Sequence, residues 1–105
     1  MKRGDVRWFK FEKPDKNRPV VILTRDSIIP HLREVTVAPI TSTIRDIPSE
    51  VLLDSQDGMP RECAINCDHL QTVDKTRIGS LITTLSAARM REARIAIAFA
   101  LALKE

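Results

Sequence analysis

Two short polar segments carry side chains suited to binding a phosphate. Arg18 precedes the apolar run at residues 20–23, and Thr41 and Ser42 follow the apolar segment at residues 35–40. A guanidinium presents a planar fork of donors that fits a phosphate, and Ser or Thr hydroxyls orient a neighbouring oxygen. If the fold brings these groups together, they can hold a phosphodiester.

Other common catalytic patterns are missing from the sequence. It contains no Ser–His–Asp or Cys–His arrangement, and no cluster of His, Asp and Glu at metal-ligand spacing. Its three glycines are too few for a phosphate-cradling loop. We therefore expect no metal and no cofactor, and the residues by themselves indicate an anion- or RNA-binding β domain.

Short apolar segments separated by turns indicate a series of β-strands. The predicted strands are residues 6–11, 18–24, 35–40, 49–53, 63–67 and 78–83. Pro39 cannot donate to a ladder, so it predicts an edge or a bulge in the third strand. The continuous apolar run at residues 20–23 is typical of a strand covered on both faces.

The last segment changes to a helical pattern. Ser86 is a suitable N-cap, and the Ala-rich stretch 87–102 has high helix propensity. The predicted packed face comprises Met90, Ala93, Ile97, Ala100 and Leu101, and the predicted solvated face Arg89, Arg91 and Arg94. Several short strands and one terminal helix predict a mainly β fold, a curled antiparallel sheet or partly open barrel, in one domain spanning residues 1–105.

Connectivity predicts which polar residues meet. A short polar turn joins the first two predicted strands, so we expect a hairpin. If the second and third strands are also antiparallel neighbours, the start of one lies beside the end of the other. One rim of the sheet would then hold Glu12, Asn17, Arg18, Thr41 and Ser42, whereas His31 would lie on the opposite rim.

The sequence also predicts the compartment. Its start is charged and is not followed by an apolar run, and its longest apolar stretch, residues 95–103, is far shorter than the roughly 20 residues of a membrane helix. On a shared strand, Cys63 and Cys67 would lie about 13 Å apart, too far for a disulfide. We expect two buried, reduced thiols in a cytoplasmic protein with no membrane contact.

Several motifs resemble the MazF/PemK toxin family in their order and spacing. They are Arg3-Gly4-Asp5-Val6, Asn17-Arg18-Pro19-Val20-Val21, Pro39-Ile40-Thr41-Ser42-Thr43 and the later Asn66-Cys67-Asp68-His69-Leu70-Gln71-Thr72-Val73, followed by the terminal helix. The resemblance covers the chain from end to end. It implies an SH3-like, partly open barrel that forms a homodimer.

The resemblance also implies a function. Members of this family are toxins of type II toxin–antitoxin systems, held in check by a cognate acidic antitoxin. They cleave single-stranded RNA at specific short sequences without metal, which inhibits translation and growth. The attacking group is the substrate's own 2′-hydroxyl, and the products carry a 2′,3′-cyclic phosphate and a 5′-hydroxyl.

Catalytic roles carry over to three positions. Arg18 matches the family's catalytic Arg and would stabilise the charged phosphorane; the alternative is a surface ion pair with Asp15 or Glu12. Thr41 matches the catalytic Thr and would position the phosphate or the 2′-hydroxyl; the alternative is a hydroxyl that caps a backbone group. Asp68 is a candidate base, although Asn66 replaces the Arg that accompanies it in some relatives, and the alternative is a turn cap before Thr72.

Further residues are predicted to contact RNA. They are Asn17, Lys16, Ser42, Glu12 and His69. The loop at residues 12–17 lacks the glycine-containing extension of many relatives, which implies a more open groove. Trp8, Phe9 and Phe11 are candidates for base stacking, with core packing the expected role of at least two.

Two other functions compete with cleavage. A gyrase poison of the CcdB type shares the fold, but that family depends on a Trp-Gly-Ile tail, and this chain ends Ala102-Leu103-Lys104-Glu105. A non-catalytic SH3-like module that binds RNA or protein would keep the same residues. The sequence leaves the second alternative open.

Overall fold

The computed structural model describes residues 1–11 and 17–104, and it is mainly β with one C-terminal α-helix. The strands are β1 Asp5–Lys10, β2 Asn17–Ile22, β3 Glu34–Thr41, β4 Glu50–Leu53, β5 Cys63–Asn66, β6 Gln71–Asp74 and β7 Ile78–Thr84, and the helix is α1 Ala87–Ala100. Single 3-10 turns lie at Ile29–His31, Ser55–Asp57, Cys67–His69 and Lys75–Arg77. The predicted fold class is confirmed.

The strands form one antiparallel sheet in the order β4-β5-β3-β2-β1-β7, and β6 pairs with the first half of β3. The predicted pairing of β1 with β2 and of β2 with β3 is confirmed. Strand β6 was not predicted, because its sequence Gln-Thr-Val-Asp contains a single apolar residue.

Apolar side chains cover the sheet on both faces. In β2 and just after it, Val21 and Leu23 belong to one buried cluster, whereas Val20 and Ile22 belong to the other. This alternation confirms the prediction made from the continuous apolar run at residues 20–23. Helix α1 packs on the first cluster through Ala93, Ala96 and its neighbours.

The two ends of the sheet approach each other. Thr83 Oγ1 on β7 donates to the carbonyl of Asp57, in the turn after β4, at 3.0 Å. Arg89 Nε on α1 donates to the Asp57 carboxylate at 2.9 Å, and Arg89 also contacts Glu92. The sheet is thus curled into a partly open barrel with these bonds across its opening, and Arg89 joins the helix to the turn after β4 instead of lying on a solvated face as predicted.

Pro39 lies in a central strand, so the prediction of an edge is wrong. It stands opposite Val20 of β2. The Leu23 N–H donates to the Thr36 carbonyl, and because hydrogen-bonded and non-hydrogen-bonded pairs alternate along an antiparallel ladder, Val20 and Pro39 form a non-hydrogen-bonded pair. The Pro39 nitrogen, which carries no proton, therefore points away from β2. On that side β3 pairs with β6 as far as Val37 and with β5 from Ile40 onward.

Helix α1 begins as predicted, with Ser86 Oγ accepting the Arg89 N–H at 3.1 Å. Its buried residues are Ala93, Ala96 and Ala98, which allow a close approach to the sheet. Leu101 was predicted to be packed, but the helix ends at Ala100 and Leu101 is exposed. Within the described part of the chain, no helix is long and apolar enough to cross a membrane.

Candidate active site

Strands β1, β2, β3 and β5 and the segment between β4 and β5 line a cleft of about 280 Å³. The ends of β2 and β3 contribute Asn17, Arg18, Thr41 and Ser42, which were predicted from connectivity to share a rim. His31 lies in the turn at the other end of β2 and β3, also as predicted. The antiparallel register therefore brings together residues that are more than 20 positions apart in the sequence.

Arg18 stands near the start of β2, opposite Phe9 of β1. Its side chain is exposed, and among the described residues it makes no hydrogen bond or ion pair. Within the described residues, no side chain therefore occupies the place of an anion that enters the cleft. Glu12 and Asp15, the alternative ion-pair partners, lie outside the described residues, as does Lys16.

Thr41 is the last residue of β3 and is partly exposed. Its Oγ1 accepts the Thr43 N–H at 3.0 Å, so the predicted backbone-capping role is present. The cap fixes the oxygen and leaves the hydroxyl proton free to donate to a second group. Ser42 follows as an exposed neighbour in the same cleft.

Two further residues line the cleft. Arg61 was not predicted there, and for Trp8 the sequence left the choice between base stacking and core packing open. Arg61, in the segment between β4 and β5, lines the cleft and is exposed. Trp8 lines the cleft on β1 and is 38% exposed, whereas Phe9 is 2% exposed and stacks edge-to-face on Phe11. The expectation that at least two of the three aromatic residues pack in the core is confirmed.

Asp68 and His69 lie away from the cleft, in the turn after β5. The Asp68 carboxylate accepts a hydrogen bond from the Ser49 hydroxyl at 2.5 Å, and the backbone N–H of Asp68 donates to Asn66 Oδ1 at 3.0 Å. The turn is therefore capped by Asn66, and Asp68 ties it to the residue before β4. His69 is exposed in the same turn.

Both cysteines are buried free thiols, as predicted. Cys63 is on β5 and lines the cleft, but Cys67 begins the following turn instead of sharing the strand. Burial raises the pKa of Cys63, and burial together with the Asp68 carboxylate raises the pKa of Cys67 to about 11. Both thiols are thus poor nucleophiles at neutral pH.

No three His, Cys, Asp or Glu side chains in the described ranges lie close enough to hold a metal ion together. The polar groups of the cleft are instead amides, hydroxyls and guanidinium groups. Among the described residues, this set presents donors to an anion and includes no carboxylate that would repel it.

The model of a family described as PemK-like, MazF-like toxin of type II toxin–antitoxin system matches residues 2–101. The chain belongs to this family. Endoribonuclease MazF3 of Mycobacterium tuberculosis is 44% identical over 75 residues, which cover 71% of this chain and 73% of that protein. Probable endoribonuclease MazF5 of the same species is 41% identical over 90 residues, 85% of this chain and 82% of that protein.

Solved structures agree with the family assignment. Mycobacterium tuberculosis toxin MazF-mt6 superimposes with a TM-score of 0.89 at 37% identity, covering 96% of this chain and 99% of that one. An endoribonuclease in complex with its cognate antitoxin from Mycobacterial species has a TM-score of 0.90 at 25% identity, covering 100% and 98%.

The family's N-terminal motif has a structural role in this chain. Gly4 has a φ of +93°, a conformation that favours glycine, and its N–H donates to the Ile22 carbonyl at 2.8 Å. Asp5 is buried, accepts the Thr84 hydroxyl at 2.9 Å and the Lys2 N–H at 3.0 Å, and thereby ties the chain start to β7. The motif around Gly4 thus builds the sheet, whereas the motifs around Arg18 and Thr41 line the cleft.

Proposed function

We propose that this toxin is a sequence-specific, metal-independent endoribonuclease that cleaves single-stranded RNA in the cleft of Arg18 and Thr41. The observation that carries the proposal is an exposed guanidinium and a fixed hydroxyl converging on one open cleft. Family membership and relatives named as endoribonucleases support the same activity. They also favour it over gyrase poisoning.

The proposed reaction uses the RNA's own 2′-hydroxyl as nucleophile. Its oxygen bonds to the adjacent phosphorus while the bond to the 5′-oxygen breaks, and the 2′-hydroxyl proton is lost as the 5′-oxygen gains one. The products are a 2′,3′-cyclic phosphate and a 5′-hydroxyl. The protein must hold attacking and leaving oxygens in line and stabilise the negative charge of the phosphorane.

Arg18 and Thr41 supply these two effects. The guanidinium of Arg18 donates to the non-bridging phosphate oxygens, where negative charge develops. The hydroxyl of Thr41, held by the Thr43 N–H, donates its proton to the phosphate or orients the 2′-hydroxyl. We assign no base role to Asp68, because its carboxylate is engaged by Ser49 outside the cleft.

Neighbouring side chains extend the RNA-binding surface. Asn17 and Ser42 flank the catalytic pair and provide hydrogen bonds to ribose or base. Trp8 offers an exposed ring for stacking one base, and Arg61 offers a second cation for the next phosphate. The predicted contacts Lys16 and Glu12 belong to the segment beyond the described residues, and His69 lies outside the cleft.

The cellular setting of the proposal is a cytoplasmic homodimer controlled by a cognate antitoxin. An acidic, flexible antitoxin tail lying over the Arg18 cleft would compete with RNA for the same cations. Release of the toxin would then allow RNA cleavage and inhibit translation and growth. Exposed Ile95 and Phe99 on α1 support self-association, and two unpaired buried thiols support a reducing compartment.

The test is cleavage of a long single-stranded RNA in the presence of EDTA, with Arg18→Ala, Thr41→Val and Arg91→Ala compared with the wild type. Arg91 is an exposed arginine on α1 outside the cleft and serves as the matched control. Loss of one donor to a developing oxyanion costs about 100-fold to 1000-fold in rate, so the first two variants should fall by that amount. The control should cleave normally, and circular dichroism should show all variants folded.

Three results would contradict the proposal. Unchanged cleavage by Arg18→Ala would remove the mechanism, and loss of wild-type activity in EDTA would indicate a metal enzyme. RNA binding without any product from the wild type would indicate a non-catalytic module. Sequencing the new 5′ ends of the same RNA would give the cleavage specificity.

A further inference from the structure

A second, larger groove lies at the opposite rim of the sheet from the Arg18 cleft. It encloses about 710 Å³ between the chain start, the segment joining β2 to β3, and the C-terminal half of α1. Its lining includes four arginines, namely Arg3, Arg25, Arg33 and Arg94, against one carboxylate, Glu34. The groove therefore has an excess of positive charge that the proposed cleavage reaction does not use.

The arginines surround an apolar floor. Leu32 is 40% exposed and Leu103 is 57% exposed, and Leu70 and Ile97 are half-buried beside them. Exposed leucines that line one concave surface indicate a binding site, because covering them with a ligand removes apolar area from water. The floor favours aliphatic side chains of a ligand.

One wall of the groove is held in place by the fold. The Arg3 guanidinium donates to the Leu23 carbonyl, and the Arg3 N–H donates to the Asp26 carboxylate at 2.7 Å. In contrast, the side chains of Arg25, Arg33 and Arg94 are exposed. The groove thus has a fixed side and a set of cations that extend into solvent.

We infer that this groove docks an acidic peptide segment that carries leucine-sized side chains. Carboxylates of such a segment would pair with Arg25, Arg33 and Arg94, while its aliphatic side chains would cover Leu32 and Leu103. The charge excess of the groove and its apolar floor are both satisfied only by a ligand of this mixed composition.

Other occupants fit less well. RNA would engage the arginines but leave the leucines in water, and none of the described side chains lining the groove is an aromatic ring on which bases could stack. A second copy of the chain meeting through the same patch about a two-fold axis would bring four arginines against four arginines. An acidic partner avoids both problems.

In naming the partner, the inference rests on the proposed function, under which the acidic segment belongs to the antitoxin. The docking segment would be separate from the tail that covers the Arg18 cleft. The molecule measures 31 × 30 × 26 Å, and an extended chain advances about 3.3 Å per residue, so a connection on the order of ten residues spans the molecule from one rim to the other.

The test measures peptide binding by fluorescence anisotropy, without RNA. The probe is a labelled 12-residue peptide of alternating glutamate and leucine, compared with peptides in which lysine replaces glutamate or serine replaces leucine. We expect the full chain to bind the first peptide, and each replacement to weaken binding by about tenfold or more, because each removes one of the two matching surfaces.

Protein variants locate the binding. The double variant Arg33→Glu/Arg94→Glu should weaken binding of the glutamate–leucine peptide by about tenfold or more, because attraction becomes repulsion at two positions. Arg91→Glu changes the same residue type on α1 outside the groove and should stay within about twofold of the wild type. Both variants should cleave RNA at the wild-type rate.

Several outcomes would overturn the inference. Equal weakening by Arg91→Glu would indicate a general charge effect, and equal binding of the serine peptide would show that the floor is not used. Loss of RNA binding in the double variant would assign the groove to RNA, and loss of self-association on sedimentation would assign it to a second copy. Peptide binding without RNA cleavage by the wild type would refute the proposed function and keep the inference, and the reverse result would refute the inference alone.

Discussion

Replacement of Gly58 by Ala should destabilise the protein through the turn that closes the sheet. Gly58 has a φ of +88°, a conformation that L side chains rarely adopt. A Cβ at this position would lie 2.3 Å from Thr83 Oγ1 and 2.8 Å from Thr83 Cβ. Both distances are too short, so the Thr83 side chain must move and give up its hydrogen bond to the Asp57 carbonyl.

The magnitude follows from these two effects. The backbone strain of Ala at positive φ costs about 1–2 kcal/mol, and the lost hydrogen bond costs about 1 kcal/mol. The lower entropy of the unfolded Ala chain returns about 0.5–1 kcal/mol. We therefore expect the free energy of unfolding to fall by about 2 kcal/mol, which for a domain of this size lowers the Tm by about 10 °C.

Urea unfolding followed by the fluorescence of Trp8 measures this loss, at one protein concentration for all variants. Gly79→Ala is the matched control, because its Cβ would make only ordinary contacts, the nearest at 3.4 Å from the Trp8 carbonyl oxygen. In a Thr83→Ala background the hydrogen bond and the 2.3 Å contact are already absent, whereas the 2.8 Å contact with Cβ remains, so Gly58→Ala should cost less than in the wild type, by about the 1 kcal/mol of the lost hydrogen bond. A loss below about 0.5 kcal/mol in the wild-type background would refute the reasoning.

Two further predictions concern charge and stacking. Burial opposes ionisation of Asp57, but hydrogen bonds from Arg89 and the Asp54 N–H outweigh it and hold the pKa of Asp57 below its usual value. The stability advantage of the wild type over Asp57→Asn should thus be complete above about pH 4 and vanish as the pH falls through the lower folded-state pKa. Urea titrations at pH 7 to 2 measure this advantage. An advantage that grows as the pH falls would contradict the prediction. Trp8→Ala should weaken single-stranded RNA binding about tenfold in an anisotropy assay, and Trp8→Phe much less, because the ring stacks on a base; equal affinity of all three proteins would exclude stacking.

Local sequence patterns predicted much of the fold. The alternation in residues 20–23, the N-cap at Ser86 and the short hairpin connection each depend on neighbours in sequence, and each agrees with the structure. The meeting of Arg18 with Thr41 also followed, because two antiparallel pairings are enough to place both at one rim. Chemical interpretation of that rim required the family resemblance.

Features that depend on distant contacts were not predictable in the same way. Strand β6 exists because it pairs with Glu34–Val37 of β3, with the Thr36 and Thr72 hydroxyl oxygens 3.3 Å apart, and not because of its own composition. Arg61 lies at the cleft because β5 pairs with the end of β3, with Ala64 opposite Thr41, and Asp68 lies outside it in the turn after β5, where its carboxylate accepts the Ser49 hydroxyl. Neither position follows from a local sequence pattern.

The two sides of the cleft are supported differently, and this separates their effects on function. Arg18 and Thr41 stand on β2 and β3, which are central strands with buried apolar residues. Arg61 instead follows the turn at Asp57 and Gly58, which is tied to the rest of the barrel by side-chain bonds from Thr83 and Arg89. Weakening those bonds should loosen the Arg61 wall while the catalytic pair stays in place. Variants of the turn should therefore raise the KM for RNA more than they lower kcat, whereas variants of Arg18 should lower kcat.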